Sequence, residues 1–298
     1  MKALVIGGKS GQVARELAAL DGPEFGIDVR GRPRADLANP ASLTAAIADS
    51  RPDVLINCGA YTAVDQAESV PDLARAINAD GPATLGAACA AAGIPIVHLS
   101  TDYVFDGAKT SPYVETDPTA PQSVYGATKL GGETGVAASG ARHVILRVSW
   151  VHAPEGKNFV RTMLRLAGTR DRINVVADQI GRPTYAPHLA IAVRDIAAQL
   201  LLDPSAPTGV FHLTGSGEPC SWRHFAQTIF AASQVRGGPV ATADPILTSA
   251  YPTPAKRPAN SMLDCAKIAD SYGIFMPHWK QGVEECVKTI GAGGWKVG

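Results

Sequence analysis

Apolar residues in the first half of the chain fall in short runs separated by helical patterns. Lys2–Gly7 is an apolar run that ends in glycine. Gly11–Leu20 carries Val13, Leu17 and Leu20 at a helical spacing. Phe25–Val29 reads as a second strand. Asn39-Pro40 reads as an N-cap with proline at the first helical position, opening a helix that runs to about Ser50. Asp53–Asn57 (DVLIN) is a third strand and Pro95–Ser100 (PIVHLS) a fourth. Helices of roughly 15–20 residues are predicted to fill the gaps. Short uncharged strands alternating with helices predict a parallel sheet covered on both faces, with right-handed crossovers. Gly81–Thr101 has no charged residue, but Gly93 and Pro95 interrupt it. It reads as helix, turn and buried strand rather than a membrane span.

Beyond about Arg147 the alternation weakens. Asn158–Ala167 is predicted helical, Ile173–Val176 a strand, Ala186–Leu202 a long helix and Gly209–Leu213 a strand. Ser221 caps a helix to Gln234, and Pro239–Pro258 is proline-rich. The expected fold class is α/β: a doubly wound parallel sheet with a smaller mixed α/β substrate domain. The expected division is 1–148 and 149–298, with 186–213 as a segment able to return to the main sheet.

Composition narrows this picture. A chain of 298 residues suits about two domains. Lys plus Arg and Asp plus Glu are both 27, so no basic excess exists to neutralise a phosphate backbone, and nucleic acid is not an expected partner. At 46% hydrophobic and 18% charged, the chain is not disordered in bulk. Five cysteines, an odd number with no C-x-x-C spacing, argue against a disulfide framework or a structural zinc site. They suit a cytoplasmic protein. The N-terminal apolar run is too short for a secretory signal, and no membrane partner is expected. The seven histidines are scattered without an H-x-x-x-H pair.

Two motifs carry chemistry. The first strand runs into Gly7-Gly8-Lys9-Ser10-Gly11-Gln12-Val13-Ala14. Glycines at a strand-to-helix turn let backbone N–H groups reach a pyrophosphate, with the helix dipole behind them. Gly8, Ser10, Gly11, Gln12 and Val13 are therefore candidate cofactor-binding residues. Asp28 is expected to end the second strand, where a carboxylate binds ribose hydroxyls and repels a 2′-phosphate. Arg30 and Arg32 follow it, and guanidinium groups favour that phosphate. NADPH and NADH are both expected cofactors, with no preference assigned. The second motif pairs Thr101, after the fourth strand, with Tyr125-Gly126-Ala127-Thr128-Lys129. On a helix Tyr125 and Lys129 share a face. A neighbouring ammonium is expected to lower the phenol's pKa, so that Tyr125 protonates a carbonyl oxygen as hydride arrives at carbon. Thr101 is expected to hold the same oxygen.

Glycine turn, Thr101 and Tyr125-x-x-x-Lys129, in that order, resemble the extended short-chain dehydrogenase/reductases, whose nucleotide-binding fold is of Rossmann type. The resemblance extends through Ala60-Tyr61-Thr62-Ala63-Val64-Asp65, Ser100-Thr101-Asp102-Tyr103-Val104-Phe105, Ser149-Trp150-Val151 and Tyr251-Pro252-Thr253-Pro254-Ala255-Lys256-Arg257-Pro258. It covers nearly the whole chain and is nearest to the members that reduce nucleotide sugars. It implies reduction of the C4 ketone of dTDP-4-dehydro-6-deoxy-L-mannose to dTDP-L-rhamnose. Tyr125 is then the acid, Lys129 the ligand of the nicotinamide ribose, and Thr101 the group that orients the carbonyl. Asp36, Leu37, Ala60 and Tyr61 join the cofactor set. Thr62, Val64, Asp65, Thr101, Asp102, Tyr103, Tyr125 and Trp150 join the substrate set, with Asn158 and Arg257 placed at the diphosphate. On residue type alone, core packing is as good a reading of Trp150, and a surface loop is an alternative for Arg257. In some relatives three glutamates hold a metal between two subunits. Glu16 matches one of these positions, but Pro187 and Thr289 stand at the others. No metal is therefore expected, and the chain is expected to be a monomer or weak homodimer. Alternatives are another nucleotide-sugar reductase, an epimerase or dehydratase of the same fold, or a regulatory subunit. A dehydratase carries Asp-Glu after the threonine, where this chain has Asp102-Tyr103. A regulatory subunit tends to lose the tyrosine or lysine.

Overall fold

The structure, a computed structural model, describes residues 1–8 and 10–296. Lys9, within the glycine turn, lies outside the described residues, as do Val297 and Gly298. Strands β1 (Lys2–Ile6), β2 (Gly26–Arg30), β3 (Val54–Asn57), β4 (Ile96–Thr101) and β5 (His143–Val148) join the strand Gly209–His212 in one sheet. Every pairing in it is parallel. From one edge the order is Gly209–His212, β5, β4, β3, β1, β2. After β1 the chain builds outward to β2 and then crosses back to β3. The carboxyl ends of β1 and β3 therefore flank the switch point of the sheet, where such folds bind ligands.

Alternation along β1 shows why both faces are covered. Ala3 and Val5 point into one cluster, with Val13 and Leu17 of α1 (Gln12–Ala18) and Leu189, Val193 and Ile196 of the helix Ala186–Leu202. Leu4 and Ile6 point into the other, with Leu43 and Ile47 of α2 (Pro40–Ser50), Leu85 of the helix Gly81–Ala92 and Val136 of the helix Val124–Ala138. The charge-free stretch 81–101 is indeed helix, turn and strand, and Gly93 ends the helix in the left-handed region at φ 68°. Among the described residues, no helix is long and apolar enough to cross a membrane.

A further cluster gathers Val160 and Leu164, Phe225 and Ile229, and Trp279, Val283 and Val287. These come from the helices Phe159–Ala167, Trp222–Gln234 and Trp279–Ala292. Ser221 accepts from the backbone N–H of His224 at 3.1 Å and so starts the middle one. The strand Arg172–Val176 pairs in parallel with Thr242–Ile246. No strand is legible in that proline-rich stretch. Pro245 is tolerated because a two-stranded pair is all edge, where a missing N–H costs little. β2 also differs from expectation. It runs on to Arg30, which pairs with Ile6, so Asp28 sits in mid-strand opposite Leu4.

The helix Ala186–Leu202 is the main cover of one sheet face, and Leu189 in it is fully buried. Leu189→Ala should lower unfolding stability by about 3 kcal/mol, measured from urea denaturation. A loss under about 1 kcal/mol would show that this helix does not pack as described.

Candidate active site

Tyr125 and Lys129 lie on the helix Val124–Ala138. Its start is fixed twice: Ser123 Oγ accepts from the Gly126 N–H, and Glu68 Oε1 accepts from the Val124 N–H at 2.8 Å. Gly126 lets the helix approach the turn after β4. A Cβ there would stand 2.2 Å from the Tyr103 carbonyl oxygen. Lys129 is 2% exposed, and its Nζ donates to the Leu99 carbonyl at 2.6 Å. Burial pulls its pKa down to about 8, and the Glu133 carboxylate one turn on opposes that shift. Glu133 accepts from Arg147 Nη2 at 2.7 Å and from Ser100 Oγ at 2.5 Å.

The spacing of Tyr125 and Lys129 suggested an acidified phenol. The fold gives the opposite. Burial raises the Tyr125 pKa above the ordinary phenol range, and Asp102 and Tyr103 add to the rise. The charge of Lys129 falls instead on Cys58 and His98. Tyr125 is thus held protonated.

Thr101 ends β4, and its hydroxyl acts on the Tyr125 phenol in the sense that lowers the phenol's pKa. It also donates to Asp102 Oδ1 at 3.1 Å and accepts from the Tyr103 N–H at 3.2 Å. The ring of Tyr103 meets that of Tyr125 edge-on at 5.4 Å. Arg257 reaches this cluster from the C-terminal half, donating to Tyr103 Oη at 3.2 Å and to Asp65 Oδ2 at 2.8 Å. Thr62 is exposed and Val64 half-buried on the segment leading to Asp65.

At the switch point, Gly7 and Gly8 have φ of 153° and 65°. Both their N–H groups donate to the Arg30 carbonyl, so the turn lies against the end of β2. Gly11 starts α1, Gln12 is its first residue, and Ser10 before them is exposed. Leu37 lines the side of this crevice: a Cβ on Gly59 would stand 2.7 Å from its Cδ1. Asp36 accepts from the Ala38 N–H and folds the loop there. Ala60 is half-buried, and the backbone of Tyr61 is tied to Asn78 in both directions.

The family model described as RmlD substrate binding domain matches residues 1–291. The chain belongs to this family. A dTDP-4-dehydrorhamnose reductase of Sinorhizobium fredii is 48% identical over 289 residues, covering 96% of this chain and 97% of that one. The crystal structure of a dTDP-4-dehydrorhamnose reductase from Clostridium acetobutylicum matches with TM-score 0.89 at 37% identity, over 97% of this chain and 99% of that one. The Bacillus anthracis dTDP-4-dehydrorhamnose reductase, solved in complex with NADP, matches with TM-score 0.87 at 34% identity, over 96% and 98%. The Rossmann-type α/β fold expected from the sequence is the fold of these RmlD-family proteins.

Several residues singled out in the sequence do other work in this RmlD-family chain. Asp28 sits in mid-strand, bonded within the protein. Its carboxylate accepts from Ser50 Oγ at 2.8 Å and pairs with Arg30. Arg30 in turn pairs with Asp49 at 2.7 Å, so it is occupied as well. Val13 is a core side chain. Asn158 caps its helix by accepting from the Arg161 N–H, and its amide donates to Gln12 Oε1 at 2.9 Å. Asp102 is buried, with both carboxylate oxygens bonded within the protein. Trp150 stacks on Trp222 at 3.7 Å, at the edge of the helical cluster. Arg257 is held beside Asp65 and Tyr103. Glu16 faces Tyr185 and Cys286. Among the described residues, no group of three His, Cys, Asp or Glu stands together in a way that could hold a metal ion.

Sequence reasoning missed Glu133, Asn78 and Ser261. Glu133 had a signal, since it lies four residues after Lys129 and is the only carboxylate of its helix. Asn78, which joins Tyr61 to Thr128, and Ser261 had none.

The depressed Lys129 pKa has a measurable consequence. The unfolded chain, with lysine near ~10.4, binds this proton more tightly than the fold does. The contribution of Lys129 to stability therefore rises as pH goes from about 8 to that value. Between pH 8 and 10, stability of the wild type relative to Lys129→Met should rise by about 2 kcal/mol in urea titrations. A flat difference would place the ammonium in water.

Proposed function

We propose that the chain is an NAD(P)H-dependent reductase that converts dTDP-4-dehydrorhamnose to dTDP-L-rhamnose, the last step in making that sugar nucleotide. The observation that carries this reading is the half-buried, protonated Tyr125 phenol beside Thr101 at the carboxyl edge of the sheet. The names of near-full-length relatives support the substrate assignment. An acid must hold its proton until the acceptor is basic enough to take it. A C4 oxygen becomes so as hydride reaches its carbon, and burial keeps the phenol loaded until then. Asp65, Tyr103 and Arg257 offer hydrogen-bonding groups to the sugar and the adjoining phosphate, with Thr62 and Val64 on the same rim. Trp150 offers the flat edge of its stack.

The residues at the switch point fit a nicotinamide dinucleotide. The turn of Gly7 and Gly8 frees its backbone for close approach, the start of α1 suits a pyrophosphate, and Leu37 with Gly59 leaves a narrow apolar slot. That coenzyme supplies the hydride when bound. Lys129 is the residue placed to hold its ribose. Both NADPH and NADH should serve. The Asp28 carboxylate is turned to Ser50 and Arg30, and the exposed Arg32 can attract a 2′-phosphate.

Purified protein mixed with dTDP-4-dehydrorhamnose should oxidise NADPH or NADH, followed by loss of absorbance, and NMR should identify dTDP-L-rhamnose rather than its 6-deoxytalose isomer. Tyr125→Phe should lower kcat by about 10²–10⁴-fold with coenzyme binding, read by fluorescence, unchanged. No oxidation with either coenzyme would overturn the assignment.

A further inference from the structure

His98 is a fully buried histidine of β4 with no part in the proton transfer. Its partner across the sheet is Asn57, the last residue of β3, which is fully buried as well. By strand alternation both lie on the face of Leu55 and Ile96, among otherwise apolar side chains. A polar pair in such a place must satisfy itself, and here only one arrangement does so. Asn57 Oδ1 accepts from the Gly59 N–H at 3.1 Å. The amide nitrogen then lies on the other side, 3.0 Å from His98 Nδ1. An amide turned the other way would set its NH₂ against the Gly59 N–H, donor against donor. Since the amide nitrogen only donates, His98 Nδ1 accepts, and the ring is neutral with its proton on Nε2. Burial and the charge of Lys129 act in the same sense, holding the His98 pKa well below the usual histidine range.

This pair controls how the chain leaves the sheet. Up to Cys58 the backbone follows β1, and the Cys58 N–H donates to the Ile6 carbonyl at 2.8 Å. The next N–H, that of Gly59, turns back to the Asn57 side chain instead. Gly59 is thereby set against the glycine turn. A Cβ on Gly7 would stand 3.2 Å from the Gly59 nitrogen, and a Cβ on Gly59 would stand 3.4 Å from Gly7 Cα and 2.7 Å from Leu37 Cδ1. At contacts this close, any shift of Gly59 changes the gap between Gly7 and Leu37.

We propose that His98 is a positioning residue for the coenzyme: as a neutral acceptor it locks the Asn57 amide, the amide holds Gly59, and Gly59 sets the width of the slot between the Gly7 turn and Leu37. The effect on coenzyme rests on reading that slot as the dinucleotide site, whereas the bonding does not. His98 works through Asn57 and Gly59 and needs no contact of its own with the coenzyme. Without the acceptor, the Asn57 NH₂ is left unpaired in the core, and the amide is released to turn away from Gly59.

Two measurements on the whole chain, neither needing a sugar substrate, test this. In nitrogen NMR of the histidine rings, the signals missing from His98→Asn should belong to a ring with bare Nδ1 and protonated Nε2. A protonated Nδ1 would overturn the bonding. Coenzyme binding, read by fluorescence, should weaken about tenfold in His98→Leu, which keeps bulk but offers no acceptor. Asn57→Ala should weaken it by at least as much. His98→Asn sets a carbonyl oxygen near the place of Nδ1 and should return the dissociation constant to within about threefold of wild type. Binding as tight as wild type in Asn57→Ala overturns the positioning role. So does an equal loss in His98→Leu and His98→Asn, because a packing defect would then be the cause. Should His98→Leu not fold, the contrast between Asn57→Ala and His98→Asn decides. If the wild type shows the stated tautomer but binds neither NADPH nor NADH, the bonding stands and the reading of the slot is what fails.

Discussion

A positive charge at Lys129 sits under the crevice, nearly out of reach of water, and the catalytic half of the structure is organised to hold it there. Stripping an ammonium of water costs several kcal/mol even after relaxation. The Leu99 carbonyl and the Glu133 carboxylate answer that cost. Glu133 is itself buried and needs partners, which Arg147 and Ser100 supply. Arg147 leaves Nη1 without a hydrogen bond, but its guanidinium lies 5.0 Å over the Phe105 ring, which offsets part of the deficit. Each step ties one more element to the helix that carries Tyr125: β4 through Leu99 and Ser100, β5 through Arg147. Removing any one partner strands a buried charge, so the group behaves as a unit.

The crevice above this unit is closed by segments that come from far along the chain. The Asp65–Arg257 pair joins the proline-rich stretch to the carboxyl edge of the sheet, and the Asp102–Ser261 bond joins the residues just after it. The Ala255 N–H adds a bond to Asp65, and Lys256 reaches Gln122. A segment with little regular structure is thereby held in place by polar contacts, two of them from Arg257 to Asp65 and Tyr103.

Burial acts on the two partners of the Tyr-x-x-x-Lys pair in the same sense, toward the neutral form. It raises the phenol and lowers the ammonium. The difference between them lies in compensation. Lys129 has a carboxylate one turn away that keeps it charged, whereas Tyr125 faces Asp102 and a second phenol, which keep it neutral. One helix thus holds a protonated phenol and a cation four residues apart.

Much of the architecture is written in local pattern. The strands of the sheet other than β5, the caps at Asn39 and Ser221, the helix Ala186–Leu202 and the Tyr125–Lys129 spacing all depend on residues within a few positions of one another, and each is found within a residue or two of where the periodicity puts it. What the pattern did not contain is long-range. Asp28 has the right residue type at about the right place, but pairing of Ile6 with Arg30 puts it in mid-strand, where Ser50 and Arg30 take its carboxylate. Asn158 became a cap, and Trp150 became part of a stack with Trp222 for want of any sequence signal that those surfaces meet. The direction of the Tyr125 pKa could not be read from its spacing to Lys129, because desolvation depends on what covers a side chain rather than on what neighbours it in sequence. The sequence by itself determined most of the elements and which residue types stand at the carboxyl edge. The tertiary structure alone decided which charges are buried and who compensates them, since that requires partners tens to hundreds of residues apart.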